Sequence, residues 1–281
     1  MSSGRPLILV SNDDGPESPG LKALLSALRG RVDVAFIVPE GPRSSSSMSL
    51  TFHKPLRAWE REIAGVRGYV VSGSPADCVM LGRLRLLDRA PCAVASGINV
   101  GDNTGLQDIY ASGTVAAAVQ SALLGMPAAA FSMMVEGDGP VDEEALLEGF
   151  RDAAEYAAEI ALWICERSLP PGVSLLNVNF PLRLRRPVRV EVTRPVRRKY
   201  EDHVTERRDP RGLPYYWIWG SRLGIYEEGT DAWAIYARGA ISVTPLSLDL
   251  ASPAGPGLED LKARLESLPA PRGRGRRAAT V

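Results

Sequence analysis

The N-terminal part of the chain alternates short apolar runs with an amphipathic helix, a pattern that only a few folds accommodate. Leu7–Val10 is apolar throughout, as strands buried on both faces are. Pro19–Leu28 then places its leucines along one helical stripe, with a proline in the first turn, and Val32–Val38 is again strand-like. Such a unit joins two parallel strands by a right-handed crossover. The sequence therefore predicts an α/β fold built on a parallel sheet.

The same alternation continues along the chain to about residue 186. The helices and strands predicted there are Ala76–Leu87, which Ser74 and Pro75 begin, and then Cys92–Ala95, Thr114–Leu124, Ala128–Met133, Glu143–Arg167 and Leu175–Asn179. Strands and helices in alternation favour a sheet covered by helices on both faces. We therefore expect residues 1–186 to form a Rossmann-like, three-layer core.

Beyond the core, the pattern becomes typical of antiparallel strands. Valines alternate with polar residues over 188–192, and an aromatic cluster follows at Tyr215–Trp219. We expect residues 187–250 to form an extended β arm and a closing strand. Large apolar rings outside a core favour a subunit interface, with Trp217 and Trp219 as its anchors.

The last part of the chain, residues 251–281, is predicted to hold a short helix, Leu258–Leu268, and a disordered basic tail. The tail is rich in proline, glycine and arginine and has little apolar content. We interpret its arginines, and the run Arg197–Lys199, as solvated charge.

Composition excludes several kinds of partner. Lysine plus arginine and aspartate plus glutamate number 33 each, so the formal net charge is +0 and no global field attracts a nucleic acid polymer or an acidic membrane. The N-terminus does not resemble a signal peptide, and no run reaches the ~20 apolar residues that cross a bilayer. We therefore expect a cytoplasmic protein. Cys78, Cys92 and Cys165 form no CxxC pair and are expected to be reduced core residues.

Polar residues follow the first three predicted strands of the core at their carboxyl ends, where parallel α/β sheets bind ligands. Asp13 and Asp14 follow the first strand, Ser44 lies past the second and Asn99 past the third. Adjacent carboxylates in one tight loop repel each other unless a cation neutralises them. Hard cations such as Mg²⁺ or Mn²⁺ take oxygen ligands, and the side-chain oxygens of Ser44 and Asn99 would complete the coordination shell. The alternative is that the NDDG segment is only a turn.

Two further segments favour an anion at the same edge of the sheet. The glycine-rich stretch Ser96–Gly105 would let backbone N–H groups approach a phosphate closely. The segment Ser112-Gly113-Thr114 adds two hydroxyls at a helix start, where the helix dipole is positive. The alternative is that Ser112 only caps the helix.

Together these motifs resemble the SurE family, the stationary-phase survival proteins that act as metal-dependent nucleotidases. The matching segments, in the family's order and spacing, are SNDDG, Arg43-Ser44, GSPADCV at Gly73–Val79, SGIN at Ser96–Asn99 and SGTV at Ser112–Val115. Further on, DPRGLPYYWIWG, EEGTD and ISVTPL are similar to the family's arm and closing strand. The resemblance spans the chain from Leu7 to about Leu250.

This resemblance implies an activity, a cofactor and an assembly. Family members hydrolyse nucleoside 5'- and 3'-monophosphates, some also short polyphosphate, and form homodimers or homotetramers partly through exchanged C-terminal arms. The 1–186 core would then be catalytic and hold one divalent metal ion, Mg²⁺ or Mn²⁺, per subunit. By the same resemblance, the metal ligands are Asp13, Asp14, Ser44 and Asn99, the catalytic residues are Asp13, Asp14 and Asn12, and the phosphate-binding residues are Asn12, Ser112, Gly113 and Thr114.

These residues favour a metal-dependent hydrolysis over two alternatives. A metal held by Asp13 and Asp14 would polarise the phosphate and acidify an attacking water. Neither His53 nor His203 lies in a strand-end loop, so no general acid is predicted. A phospho-aspartate route through Asp13 would favour DxD spacing, whereas the two acids here are consecutive. A noncatalytic nucleotide- or phosphate-binding module is the other alternative, because altered loops can abolish turnover while sparing the fold.

Overall fold

The computed structural model describes residues 4–135, 142–252 and 255–268. The strands are β1 (Leu7–Ser11), β2 (Asp33–Pro39), β3 (Ala58–Ile63), β4 (Val66–Val71), β5 (Ala93–Val100), β6 (Ala128–Met133), β7 (Leu175–Phe180), β8 (Val190–Val192), β9 (Tyr200–Arg208), β10 (Pro214–Arg222) and β11 (Ile241–Leu246). The helices are α1 (Pro19–Leu28), α2 (Pro75–Leu81), α3 (Gly105–Ala111), α4 (Gly113–Leu123), α5 (Glu143–Arg167), α6 (Asp231–Tyr236) and α7 (Pro256–Glu266).

Nine of the strands form one sheet in the order β3-β4-β2-β1-β5-β6-β7-β11-β8. β1 pairs in parallel with β2 and β5, with Leu9 opposite Ala35 on one side and Val94 on the other. β6 and β7 continue the parallel arrangement, whereas β3 and β11 pair antiparallel with β4 and β7. The predicted three-layer α/β fold with a mostly parallel sheet is confirmed.

Side chains alternate across this sheet and bury two helical layers. Ile8 and Val10 pack in the apolar cluster that contains α1 and α5. Leu9 faces the opposite cluster, which contains residues of α2 and α4. This packing fixes the strands rigidly, so the loops after β1, β2 and β5 are held at one edge of the sheet. Among the described residues, no helix is both long and apolar enough to cross a membrane.

The C-terminal arm is a two-stranded antiparallel hairpin of β9 and β10, separate from the main sheet. Every residue of β10 is exposed. β11 is the predicted closing strand. Of the described residues, those up to Leu248 form one compact unit and those from Asp249 to Leu268 form a second, which contains the predicted short helix as α7. The basic tail lies outside the described residues.

Several local elements differ from the sequence-based expectation. α2 begins as predicted, with Ser74 as its N-cap in a reciprocal capping box with Asp77, but it gives way to a π-helical turn at Gly82–Leu86. β5 extends to Val100, so half of the expected glycine-rich loop is strand, with a shift in register between Ser96 and Asn99. The sequence did not predict β3, β4 or α3. Two expectations for the arm are also wrong: residues 231–236 form the helix α6, and β8, expected to be antiparallel, pairs in parallel with β11.

The expectation of three reduced cysteines is wrong for two of them. Cys92 and Cys165 form a disulfide, with their Cα atoms 4.9 Å apart. Cys92 directly precedes β5, and Cys165 lies in the last turn of α5, so packing of that helix on the sheet brings them together. The spacing of 73 residues gave no signal of this contact. Cys78 is buried and free, as expected.

Candidate active site

A cavity of 230 Å³ lies at the carboxyl end of the central strands. The loops after β1 and β2, the end of β5 and the start of α4 converge on it. Its lining includes all four predicted metal ligands, Ser112 and several residues that the sequence analysis did not select, namely Asp102, Asp108 and Tyr200. A larger depression of 560 Å³ lies between α1 and α5, but its lining lacks such a convergence of oxygen ligands.

Asn12 builds the turn that carries the two carboxylates. Its amide nitrogen donates to the carbonyl of Gly15 at 2.8 Å, and its amide oxygen accepts from the Gly15 N–H at 3.2 Å. Gly15 has a φ of +89°, which side chains other than glycine rarely adopt. The side chain of Asn12 is fully buried and does not line the cavity. Asn12 to Gly15 thus form a turn, and this turn presents Asp13 and Asp14 together.

Asp13 is buried against the start of α4. The Thr114 hydroxyl donates to its carboxylate, and the backbone N–H of Arg43 donates to its carbonyl at 2.7 Å. Gly113 approaches so closely that a Cβ at that position would lie 2.8 Å from the Asp13 Cβ and 2.9 Å from its Oδ2. Burial raises the pKa of Asp13, although the Thr114 hydroxyl and neighbouring amides act in the opposite direction.

Asp14 carries a carboxylate that the protein leaves partly unsatisfied. Burial and the neighbouring charge of Asp13 raise its pKa to about 6, against hydrogen bonds from the Val100 amide and the Ser18 hydroxyl. Its Oδ2 is buried and has no hydrogen-bond partner within the part of the chain that the structure describes. A buried carboxylate oxygen in this state is costly unless a cation or a proton meets it.

Ser44 and Asn99 bring neutral oxygens to the same cavity. The Ser44 loop is tied to the end of α3, because Ser47 donates from its hydroxyl to the Tyr110 carbonyl at 2.7 Å and from its N–H to the Ala111 carbonyl at 3.0 Å. The Asn99 amide nitrogen donates to the Gly101 carbonyl at 2.7 Å, so its amide oxygen is the atom left for a ligand.

The oxygen ligands at this cavity fit a hard divalent cation. Two carboxylates, a hydroxyl and an amide oxygen are the ligand types that Mg²⁺ and Mn²⁺ prefer. No cluster of three or more His, Cys, Asp or Glu side chains that would hold a metal occurs in residues 4–135, 142–252 and 255–268. A cation at this cavity would therefore depend on the adjacent pair Asp13 and Asp14 together with neutral oxygens.

Ser112 caps α4 and also lines the cavity. Its hydroxyl oxygen accepts from the Val115 N–H at 3.1 Å, so Ser112 is the N-cap of this helix. The hydroxyl proton remains available for a second contact, since a serine hydroxyl is both acceptor and donor. Because the start of α4 is also the positive end of its dipole, an anion bound beside Ser112 would be stabilised there.

The structure places one lysine quite differently from the expectation. Lys199 was interpreted as solvated charge, and this is wrong, because its side chain is 0% exposed. Its ammonium group lies 2.6 Å from a carboxylate oxygen of Asp102 and 2.6 Å from one of Asp108. Both acids line the candidate cavity, and so does Tyr200, the next residue. No local sequence pattern marks this contact, because the partners lie 97 and 91 residues away.

The two histidines lie away from the cavity, as expected. His53 is exposed in the segment before β3. His203 lies on β9 and packs against Trp219, with ring centroids 4.5 Å apart. Neither ring is in a position to transfer a proton at the cavity.

The chain resembles proteins of one known family in both sequence and structure. Residues 8–202 match the family model described as "Survival protein SurE". The chain is 49% identical over 246 residues to 5'-nucleotidase SurE 1 of Thermus thermophilus and 40% identical over 245 residues to 5'-nucleotidase SurE of Methanothrix thermoacetophila. Each alignment covers 86% of this chain and 92% of the relative. The crystal structure of the SurE protein from Aquifex aeolicus superimposes with a TM-score of 0.74 at 36% identity, covering 93% of this chain and 100% of that one.

Proposed function

Because this chain belongs to the SurE survival-protein family, we propose that it is a metal-dependent 5'-nucleotidase that hydrolyses nucleoside monophosphates to a nucleoside and phosphate. Asp13 and Asp14 carry the proposal: they are adjacent, both have raised pKa values, and Asp14 has a buried oxygen without a partner. Activity on 3'-monophosphates and on short polyphosphate is part of the same proposal, since the groups that would contact the substrate, Ser112 and the start of α4, are suited to phosphate oxygens.

The metal site would consist of Asp13, Asp14, Ser44 and Asn99, with one Mg²⁺ or Mn²⁺ per subunit. A divalent cation there would neutralise charge on the phosphoryl oxygens and make water a better nucleophile near neutral pH. The protein contributes the rigidity of the site. Asn12 closes the turn that presents both carboxylates, and the Asn99 side chain is oriented by its hydrogen bond to Gly101.

The phosphate would bind between these carboxylates and the start of α4. Ser112 can donate its hydroxyl proton to a phosphoryl oxygen while it keeps its capping bond to Val115. Gly113 lets α4 approach Asp13 closely, because any side chain there would collide with that carboxylate. Thr114 acts on the metal side instead, since its hydroxyl donates to Asp13. The start of α4 would thus contact the phosphate through Ser112 and hold the metal ligand Asp13 in place through Thr114.

Assembly into a homodimer or homotetramer would use the arm of β9 and β10. An isolated two-stranded hairpin is only marginally stable in water. Large apolar side chains nevertheless project from it, with Ile218 82% exposed and Val204, on the neighbouring strand, 66% exposed. The aromatic anchors Trp217 and Trp219 are also more than half exposed. Covering these side chains with a second copy of the chain would give the arm the burial that it lacks. Under this proposal the 1–186 core is catalytic and the 187–250 segment serves assembly.

The proposal is tested by measuring phosphate release from a panel of nucleoside monophosphates in the presence of Mg²⁺, Mn²⁺ or EDTA. We expect release with a divalent cation, loss of release in EDTA, and loss in Asp13→Asn. Asp152→Asn is the matched control, because Asp152 is an exposed aspartate on α5. Turnover that survives both EDTA and Asp13→Asn would refute metal dependence. Binding of nucleotides without any turnover would instead favour the noncatalytic module.

A further inference from the structure

Lys199 is a fully buried cation that belongs to the base of the arm, and its charge is paired with two acids that line the candidate cavity. It directly precedes β9 and bridges Asp102 and Asp108 with two contacts of 2.6 Å. Tyr200 and Tyr236 flank its ammonium group, with ring centroids 5.0 and 5.6 Å away. Burying a lysine in this way is costly without such partners, so the contact is specific and not incidental.

The two acids that Lys199 contacts lie on different elements that line the cavity. Asp102 follows the metal-side residue Asn99 by three positions, beyond the end of β5. Asp108 lies in α3, the short helix that leads to Ser112. One ammonium group therefore spans the loop after β5 and the helix that precedes the phosphate-binding segment.

Asp108 connects Lys199 directly to Ser112. Its side chain accepts from the Lys199 ammonium, and its backbone carbonyl accepts from the Ser112 N–H at 2.8 Å. The backbone of Lys199 is fixed to the same helix, since its N–H donates to the Gln107 amide oxygen at 2.8 Å. Asp108 thus links the base of the arm to the serine at the start of α4 through two hydrogen bonds, one to its side chain and one to its backbone carbonyl.

The two acids depend on Lys199 to different degrees. Asp102 also accepts hydrogen bonds from Thr104 and from the Tyr236 hydroxyl, the latter at 2.6 Å. Asp108 has only one other side-chain donor among the described residues, the Tyr200 hydroxyl at 3.3 Å. Loss of Lys199 would therefore release Asp108, whose helix leads to the phosphate-binding segment, more than Asp102, which follows the metal-side residue Asn99.

We propose that Lys199 is a positioning residue for phosphate binding, which acts through Asp108 to fix the end of α3 and hence Ser112. This inference rests on the proposed nucleotidase function. It predicts that the affinity for phosphate depends on Lys199 while the affinity for the metal does not. It also means that the arm and the site share a residue, so the orientation of the arm is coupled to the phosphate-binding segment.

The test measures the inhibition constant of inorganic phosphate and the KM of a nucleoside monophosphate in the presence of Mn²⁺, and separately the dissociation constant of Mn²⁺ alone. Lys199→Met should raise the phosphate inhibition constant and KM by about tenfold or more, the scale of one lost charge-assisted contact. The Mn²⁺ dissociation constant should stay within about threefold of the wild-type value, a change below 1 kcal/mol. Arg197→Met is the matched control, because Arg197 is an exposed cation two residues away. Lys199→Arg, which keeps the charge, should recover part of the affinity.

Asp108→Asn separates positioning from simple charge. If Lys199 acted only by its charge, removing the negative charge of Asp108 beside the cavity would tighten phosphate binding. If it positions Ser112 through Asp108, Asp108→Asn should weaken phosphate binding as Lys199→Met does. The double variant should then be no weaker than either single variant, since both changes break the same link.

The outcomes are distinct. Tighter phosphate binding in Asp108→Asn, or wild-type phosphate affinity in Lys199→Met or in the double variant, would overturn the inference. Equal weakening of phosphate and Mn²⁺ binding would also overturn it, because it would indicate a general structural role. If Lys199→Met fails to fold, the direction of the change in phosphate affinity in Asp108→Asn decides between positioning and simple charge. Failure of the wild-type protein to release phosphate from nucleotides would refute the proposed function instead. That result is obtained without the Lys199 variants, so the two failures are distinguishable.

Discussion

The hydroxyl of Thr114, in the first turn of α4, donates a hydrogen bond to the carboxylate of Asp13, in the loop after β1. The two residues are 101 positions apart in the chain, and the contact is buried. It joins the helix that begins beside the expected phosphate position to the turn that presents both carboxylates. The two halves of the candidate site are therefore one hydrogen-bonded unit.

Replacing Thr114 with valine should lower kcat/KM for nucleoside monophosphates while the fold persists. Valine has a similar shape but no donor, so a buried Asp13 oxygen would lose its partner at a cost of ~1–3 kcal/mol. We expect a loss of about tenfold or more in kcat/KM. Thr114→Ser keeps the hydroxyl and should stay within about threefold of wild type. Equal kcat/KM values for the valine and serine variants would show that the hydrogen bond is not needed.

Stability of the metal-free protein should fall as the pH rises from about 4 to above 6. The pKa of Asp14 is about 6 in the folded protein, against 3.8 as its ordinary value, so the folded state binds this proton more tightly than the unfolded state. The free energy of unfolding then decreases by about 2 kcal/mol as the pH rises from about 4 to above 6. The pKa of Asp13 is also raised and acts in the same direction.

Denaturant unfolding in EDTA at a series of pH values measures this effect. A saturating divalent cation should remove the loss, because it takes the place of the proton between the carboxylates. Asp14→Asn should flatten the pH dependence in EDTA. A free energy of unfolding that rises with pH in the metal-free wild type would contradict the account of the carboxylate pair.

The aromatic residues of the arm should control assembly. Trp217→Ala combined with Trp219→Ala removes two large exposed rings from β10, and we expect a lower mass by light scattering. Phe52→Ala is the matched control, because Phe52 is 84% exposed and lies outside the arm. An unchanged mass in the double tryptophan variant would argue against assembly through β9 and β10.

Removing the Cys92–Cys165 disulfide should reduce stability without affecting turnover. A cross-link that closes a loop of 73 residues stabilises by about 4 kcal/mol in the chain-entropy model, and typical measured values are 2–4 kcal/mol. Cys92 lies at the opposite end of β5 from Asn99, so the site should keep its geometry. We expect Cys92→Ser with Cys165→Ser to lower the Tm and to abolish the effect of a reducing agent on it. A wild-type Tm that does not respond to reductant would show that the two thiols are not bonded in solution.

The elements with the strongest local signals were predictable from the sequence. The helix Pro19–Leu28 has a serine cap, a proline in its first turn and a clean leucine stripe, and its bounds agree with α1. That Ser44 and Asn99 line one cavity was predictable because a parallel sheet brings the carboxyl ends of its strands to one edge. By contrast, β3 is exposed along most of its length, so its residues show no core pattern.

The residues that the sequence did not reveal depend on contacts made only in the folded chain. Lys199 lies in a run of basic residues that is typical of solvated charge, and its burial depends on Asp102 and Asp108, which are distant in sequence. The disulfide likewise depends on how α5 packs against the sheet. The sequence also did not separate the roles of Ser112 and Thr114, because only the structure shows that one hydroxyl caps the helix while the other contacts Asp13.

The most direct test is the binding of Mn²⁺ to the metal-free protein, measured by titration calorimetry near neutral pH. Wild type and Asp152→Asn should each bind one ion per chain with the same affinity. Asp14→Asn should bind Mn²⁺ about 100-fold more weakly, the loss expected when one of two carboxylate ligands becomes neutral. Equal Mn²⁺ affinity in wild type and Asp14→Asn, or no binding to wild type, would contradict the central role given to the Asp13–Asp14 pair.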